Sequence, residues 1–408
     1  MSEINTLNSR EFLRLLWRKL TSMRTAIYLL IILGFAAIPG SIFPQRTQEP
    51  LKVEQYFSKH KSLAPFLDKI YIFNVYSSPW FSAIYILLFI SLIGCVLPRT
   101  IKHVRSILNR KAPTKGYLYE TGNLAFHLSL IFILIGIALG SLYGMKGQAI
   151  INVGDRFVNT ATSYDTLGFG KFSSEKSLAP FALTVTDFHA KYDPKTNAPE
   201  DYKLDVDISY PIESKAVHKV IKVNSPLTYG STKIYLQANG YSPMVSIKDK
   251  TGKTEFEGAV PFLPQDGNLT SSGAIKLPDA NPQIGIIGTF TPTYSMTNSK
   301  GAVSAFPESL DPRLVFSVWS GNLGLDSGIP QSVYRVDTSK MTRIGLKSLK
   351  VGETYNFNEG SITFVGWKPW VNIEVGRDPG KLIALFGALF AVMGLLASLF
   401  IGHRKEEV

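Results

Sequence analysis

The residue with the most pointed chemistry is a histidine in an uncharged setting. Between Glu120 and Lys146 lie 25 residues without a charge. His127 sits about six residues inside that run, roughly 9 Å along a helix rising 1.5 Å per residue. An ionisable side chain at such depth is costly and by default marks a functional site. Neutral imidazole offers a nitrogen lone pair and is a common axial ligand of haem iron. The plainer alternative is a neutral histidine hydrogen-bonded to a neighbouring helix. His403 ends another apolar run beside Arg404 and Lys405 and is a weaker candidate, because interfacial snorkelling explains it. Cys95 is the one cysteine, so an internal disulfide, a CxxC redox pair, a Cys-rich zinc site and a CxxCH haem attachment are all excluded. It reads as a small buried apolar residue.

Other catalytic signatures are missing. The chain has no G-x-S-x-G elbow, no H-E-x-x-H and no G-x-x-x-x-G-K-S/T. His189 and His218 fall in different strand-like segments and read as surface or strand-edge histidines, since neither has metal-site spacing around it. Asp205 and Asp207 lie on the polar face of a strand, where solvation explains them.

The elements that must position His127 are membrane spans. In 408 residues hydrophobic types make up 45% and charged types 18%, below the roughly 25% charge of soluble domains. Four uncharged runs, each able to cover about 30 Å of hydrocarbon as a helix, predict spans at 25–43, 81–97, 121–143 and 381–402. The first could instead be a signal peptide, although its apolar stretch is long for one. Gly136 and Gly140 form a G-x-x-x-G in the third span, a pattern that permits close helix packing.

Residues 1–143 hold 16 Lys+Arg against 6 Asp+Glu, which is +10 of the net +12. The excess lies between apolar runs, which is how membrane topology is written, and not on a folded domain as in nucleic-acid binders. No nucleic-acid partner is expected. Arg10, Arg14, Arg18, Lys19 and Arg24 mark 1–24 as cytoplasmic, and the basic run from Arg99 to Lys115 marks 98–120 likewise. Both termini are then inside, with 403–408 a cytoplasmic tail. The loop 44–80 and residues 144–379 are outside, the loop carrying an amphipathic helix around Val53–Lys69.

The outer segment reads as β-rich. Leu204, Val206 and Ile208 alternate with Asp205, Asp207 and Ser209. Similar runs are FALTVTDF, HKVIKVN, KIYLQANG, PMVSIKD, QIGIIGTFTP, RLVFSVWS and SITFVGW, punctuated by turn signals at Asp193-Pro194, Asn239-Gly240, Asp266-Gly267 and Asn358-Glu359-Gly360. The expected fold is a polytopic α-helical membrane protein of four transmembrane helices, with a large β-rich extracytoplasmic domain between helices three and four. An antiparallel sandwich or a large twisted sheet fits that domain.

Several segments resemble one family. They are TSMRTAIYLLIILGFAAIPGSIFPQ, NVYSSPWFSAIYILLFISLIGCVLPR, LAFHLSLIFILIGIALG, VNSPLTYGSTKIYLQANGY and VGRDPGKLIALFGALFAVMGLLASLFIGHRK. In this order, and with Pro44-Gln45, Ser78-Pro79-Trp80, Asn224-Ser225-Pro226-Leu227 and Asp378-Pro379-Gly380, they resemble ResB/CcsB proteins of System II cytochrome c biogenesis. Ile234-Tyr235-Leu236-Gln237 departs slightly from the family's usual pattern, and residues 241–350 carry no recognisable motif.

The resemblance implies a haem-handling subunit in a bacterial cell membrane. With a ResC/CcsA-type partner it would carry haem b across, bound in transit, for thioether attachment to apocytochrome c. A thioredoxin-like thiol reductant is a possible further partner. The tryptophan-rich haem-presenting segment belongs to the partner. This chain has only Trp17, Trp80, Trp319, Trp367 and Trp370, so it would be part of a synthase without a complete active site of its own. His127 falls where the family has its intramembrane histidine. The competing reading is a non-catalytic membrane scaffold or receptor with a protein-binding outer domain. A transporter ranks third, for want of paired broken helices.

Overall fold

Uncharged runs become helices because only a helix satisfies its own backbone hydrogen bonds away from water. The structure, a computed structural model, describes residues 8–46, 50–109, 115–298, 301–325 and 334–403. Its helices are α1 (Ser9–Leu20), α2 (Met23–Ile42), α3 (Pro50–Lys59), α4 (Leu63–Lys69), α5 (Pro79–Leu108), α6 (Lys115–Tyr143) and α7 (Lys381–His403). Four segments, in α2, α5, α6 and α7, are long and apolar enough to cross a membrane. The chain divides into two units, residues 1–140 with 379–408, and residues 141–378.

Two details of the helical unit differ from expectation. The amphipathic helix expected over Val53–Lys69 is two helices, α3 and α4, broken around His60–Ser62. Much of the expected cytoplasmic loop 98–120 is helical, since α5 runs on to Leu108 and α6 begins at Lys115. Polar and charged residues are good helix formers, so a helix need not end where its apolar run ends. Residues 1–7, 110–114 and 404–408 of the expected cytoplasmic segments, and the side chain of His403, lie outside the described residues.

Two motifs between α2 and α5 act as clamps. Gln45 is buried, donates from Nε2 to Phe43 O and Ile72 O, each at 3.0 Å, and accepts from Val75 N at 3.0 Å. Ser78 caps α5, accepting from Phe81 N at 3.2 Å while donating to Val75 O at 2.6 Å. Pro79 opens the helix where a missing N–H costs nothing.

Helices α6 and α7 meet along glycines. Gly380, just before α7, and Gly387 and Gly394 within it recur every seven residues. A Cβ on Gly394 would lie 2.6 Å from Phe126 N and 2.9 Å from Gly122 O, and one on Gly387 would lie 3.1 Å from Ser129 O. A Cβ on Gly380 would overlap the backbone of Gly136 and lie 2.9 Å from Gly140 N. The G-x-x-x-G of the third span is thus part of a backbone-to-backbone seam.

The second unit is built on two 18-residue strands. Alternating Val, Ile and Phe positions make antiparallel sheets with one buried face. The first sheet has the order β3 (Thr166–Phe169), β1 (Met145–Asn152), β18 (Gly360–Arg377), β8 (Thr232–Asp249) and β7 (Leu227–Tyr229). Here β17 (Thr354–Phe357) also pairs β18, and β9 (Thr254–Ala259) also pairs β8. A second sheet orders β2 (Arg156–Val158), β4 (Ala182–Tyr192), β5 (Pro199–Ser209) and β6 (Val217–Lys222). A third orders β10 (Leu263–Pro264), β11 (Ser271–Leu277), β12 (Ile284–Thr291), β15 (Arg313–Gly321) and β16 (Met341–Lys350), while β13 (Tyr294–Thr297) pairs β14 (Gly301–Ser304).

The long strands serve two cores. Ile234, Val371, Ile373 and Val375 pack with Leu183, Val206 and Ile208 of the second sheet. Farther along the same strands, Val245, Ile247, Ile362 and Phe364 pack with Ile286, Phe316 and Val318 of the third. Between the cores, Trp370 is 2% exposed, pairs in register with Gly240, and donates Nε1–H to Tyr241 O and Phe262 O, both at 3.1 Å. The Asn239-Gly240 turn expected from sequence is therefore mid-strand. Glycine stands there because a Cβ would meet Trp370 Cε2 at 2.6 Å.

Candidate functional site

His127 lies on α6, on the face formed by Asn123, Leu130 and Leu134 at helical spacing. These residues line a partly open cavity of about 510 Å³ within the helical unit, shared with residues of α2 and α5. Such a volume suits a sizeable ligand. The walls are almost wholly aliphatic, and the polar exceptions are Arg99, Asn123, His127 and the thiol of Cys95. Cys95, expected as buried filler, is partly exposed on this wall one helical turn from Arg99.

The imidazole is oriented. His127 Nδ1 lies 2.8 Å from the carbonyl oxygen of Asn123. A carbonyl can only accept, so Nδ1 carries the proton and the neutral ring keeps its lone pair on Nε2. Histidines that bind metals characteristically donate the other ring N–H to a backbone carbonyl in this way. The Phe126 ring meets the imidazole edge-on, with centroids 5.2 Å apart. The cavity thus combines an apolar slot, one nitrogen donor and one guanidinium.

A model of the ResB-like family matches residues 23–114 and 112–406, which includes every element of this cavity. The chain belongs to the ResB-like family. Similar proteins include the cytochrome c biogenesis protein CcsB of Gloeobacter violaceus, 22% identical over 439 aligned residues covering 90% of each chain. That of Synechococcus sp. strain JA-3-3Ab is 24% identical, covering 76% of this chain and 77% of its own. That of Nostoc sp. strain PCC 7120 is 23% identical over 55% of this chain and 58% of its own.

In this ResB-like chain a second intrahelical histidine escaped the sequence reading. His103 on α5 is 8% exposed, with Nε2 at 2.8 Å from Thr121 Oγ1 of α6 and Nδ1 at 3.8 Å from Glu120 Oε2. Its place in a basic stretch disguised it. The usable signal was its seven-residue spacing from Val96 on the buried face of a helix that outruns its apolar segment.

The two outer histidines are brought together by register. His218 Nε2 lies 3.2 Å from Asp205 Oδ1, and its Nδ1 3.2 Å from Asp207 Oδ1. His189 Nε2 lies 3.0 Å from Asp187 Oδ2 and 4.0 Å from Asp205 Oδ2. Both rings are more than half exposed, and among the described residues no group of three or more His, Cys, Asp or Glu could hold a metal. The Asp205 side chain, 9% exposed, is the centre of the cluster. Lys203, 2.9 Å away, holds its carboxyl below the usual carboxylate range, with His218 adding to the effect. A depressed carboxylate stabilises the fold above its unfolded-state pKa, and that contribution disappears as pH falls through the folded value. Thermal melts of the full chain should therefore show the outer unit weakening in acid below about pH 4. Asp205→Asn should cost about 1–3 kcal/mol at pH 7 and flatten that acid dependence. A melt unchanged by the substitution at both pH values would mean that the cluster contributes nothing to stability.

Proposed function

We propose that the chain is a cytochrome c biogenesis protein that handles haem as cargo, held at Nε2 of His127. One observation carries this reading. The Asn123 carbonyl fixes the imidazole tautomer so that a lone pair faces an apolar cavity large enough for a flat macrocycle. Neutral imidazole suits ferrous or ferric iron, and aliphatic walls suit the ring. The exposed guanidinium of Arg99 on the same cavity suits carboxylates, by charge-assisted hydrogen bonds. Haem b has all three features. The names of the similar proteins agree with the pathway.

The second axial ligand then comes from a ResC/CcsA-type partner. Thioether formation adds a cysteine S–H of apocytochrome c across each haem vinyl group, with carbon–sulfur and carbon–hydrogen bonds replacing S–H and one C=C component. A thioredoxin-like protein would keep those cysteines reduced. The membrane is a bacterial cell membrane. The deciding experiment is purification of the chain with its partner followed by absorbance spectroscopy. A Soret band is expected, and a colourless complex in full yield would favour the scaffold reading.

Orientation belongs to the same proposal. Lys/Arg asymmetry puts both termini inside and residues 144–379 outside, so His127 lies nearer the cytoplasmic face, where haem is made. Alkaline phosphatase fusions should be active after Lys250 and inactive after Arg110. The reverse pattern would turn the cavity's entry side around.

A further inference from the structure

Helix α1 is amphipathic and uncovered. Phe12, Leu13, Leu16, Trp17 and Leu20 recur on one face, and Phe12, Leu13, Leu16 and Trp17 remain 52–61% exposed. Arg10, Arg14 and Arg18 recur every four residues in a row that starts beside that face at Arg10 and turns about 40° farther from it at each step, and all three are exposed. With Leu13 and Trp17 they bound a shallow groove. Leu15 alone among the apolar residues falls on the charged side. An apolar face this exposed is not a finished protein surface.

The end of α1 is fixed against a spanning helix. Leu20 O accepts from Ser91 Oγ of α5 at 2.7 Å, and Trp17 O accepts from Thr21 N and Thr21 Oγ1 at 2.9 and 2.8 Å. Lys19 O accepts from Thr25 Oγ1 at 2.6 Å. Three of the last four carbonyls of α1 are therefore satisfied within the chain, which eases placing this junction at an apolar boundary. Trp17 and Thr21 also close over Gly94 of α5, where a Cβ would come within 3.4 Å of Trp17 Cζ2. Gly94 precedes Arg99, the first charge after the apolar run of α5, by five residues. At 1.5 Å per residue that is about 7.5 Å, within the roughly 5–10 Å at which in-plane helices lie.

We infer that α1 lies in the membrane surface and that its Arg10–Arg14–Arg18 stripe binds the phosphates of anionic phospholipids. The occupant follows from charge and depth together. Planar guanidiniums at one-turn spacing match a row of phosphodiesters, and Trp17 beside them suits the headgroup level. A protein partner would have to cover the apolar face at the depth where acyl chains already lie. The inference is independent of haem, since it requires only that α2 and α5 span the bilayer.

The test uses the full chain in lipid nanodiscs. Cys95→Ser removes the one native thiol, and Leu16→Cys or Glu11→Cys carries an environment-sensitive fluorophore. Lipids brominated near the headgroup should quench the label at position 16 strongly and that at position 11 weakly. Replacing phosphatidylcholine by phosphatidylglycerol should shift the position-16 emission to the blue. In Arg10→Gln/Arg14→Gln/Arg18→Gln the phosphatidylglycerol fraction giving half of that shift should rise by roughly fivefold or more. A position-16 label that brominated lipids leave unquenched would overturn the membrane placement. Quenching that is lost when the partner protein is added would assign the face to that protein. Equal shifts in both lipids, or in the triple variant and its parent, would overturn the phosphate recognition.

Discussion

His127→Ala should strip haem from the purified complex proposed above while leaving the complex itself in near-normal yield. The side chain is half-buried, and its one hydrogen bond goes to a carbonyl of its own helix, so truncation leaves no orphaned partner on another element. What is lost is the nitrogen donor. Loss of an outer-shell partner already costs about 10–100-fold in metal affinity, so loss of the ligand should lower retained haem by on the order of tenfold or more. Holocytochrome c formation should fall with it. Added imidazole should restore part of the Soret absorbance by entering the vacated volume, a rescue that a packing defect would not show. Arg99→Gln should lower haem retention by less, because a neutral amide still donates to a carboxylate. Unchanged haem content and normal cytochrome c maturation in His127→Ala would return the residue to a hydrogen-bonded histidine.

Gly240→Val should be the most damaging change in the outer unit. The position pairs directly with Trp370 at the waist between the two cores, and the indole occupies the space a side chain would need. Valine must expel the ring, which unpacks it and takes the indole N–H away from the buried Phe262 O, while Tyr241 O keeps the bond from Phe262 N at 3.2 Å. Displacing a buried aromatic costs about 3–5 kcal/mol. For a unit of this size that lowers Tm by roughly 6–20 °C. Gly258→Ala is the control, since a Cβ there meets nothing closer than Phe256 Cζ at 3.5 Å. Scanning calorimetry of the full chain in detergent would compare the two, and equal Tm values would remove Trp370 from its structural role.

Where the sequence could be read, the cause was local. The spans follow from uncharged runs, and β4, β5, β12 and β15 follow from alternation that neighbouring residues display by themselves. His127 stood out because polarity in an apolar run is visible without a fold. The failures were non-local. Asn239-Gly240 has the composition of a tight turn, and only the indole from 130 residues downstream explains the glycine. His189 and His218 share the surroundings of Asp205 because β4, β5 and β6 align in one register, and no spacing in sequence expresses that. His103 was hidden by charged neighbours on a helix that continues beyond its apolar part.

The glycine seam between α6 and α7 makes traffic through the helical unit one-sided. Where two backbones touch, a rigid disc cannot slip between them, nor can an acyl chain. The seam runs from Gly122–Gly394 to Gly136–Gly380 and flanks His127 along its length, while the cavity is walled only by α2, α5 and α6. Whatever docks at Nε2 cannot pass between α6 and α7 and is left the open side shared with α2 and α5. On the haem proposal, a partner contributing a second ligand would have to stand on that flank, and α7 would serve as the gasket behind it.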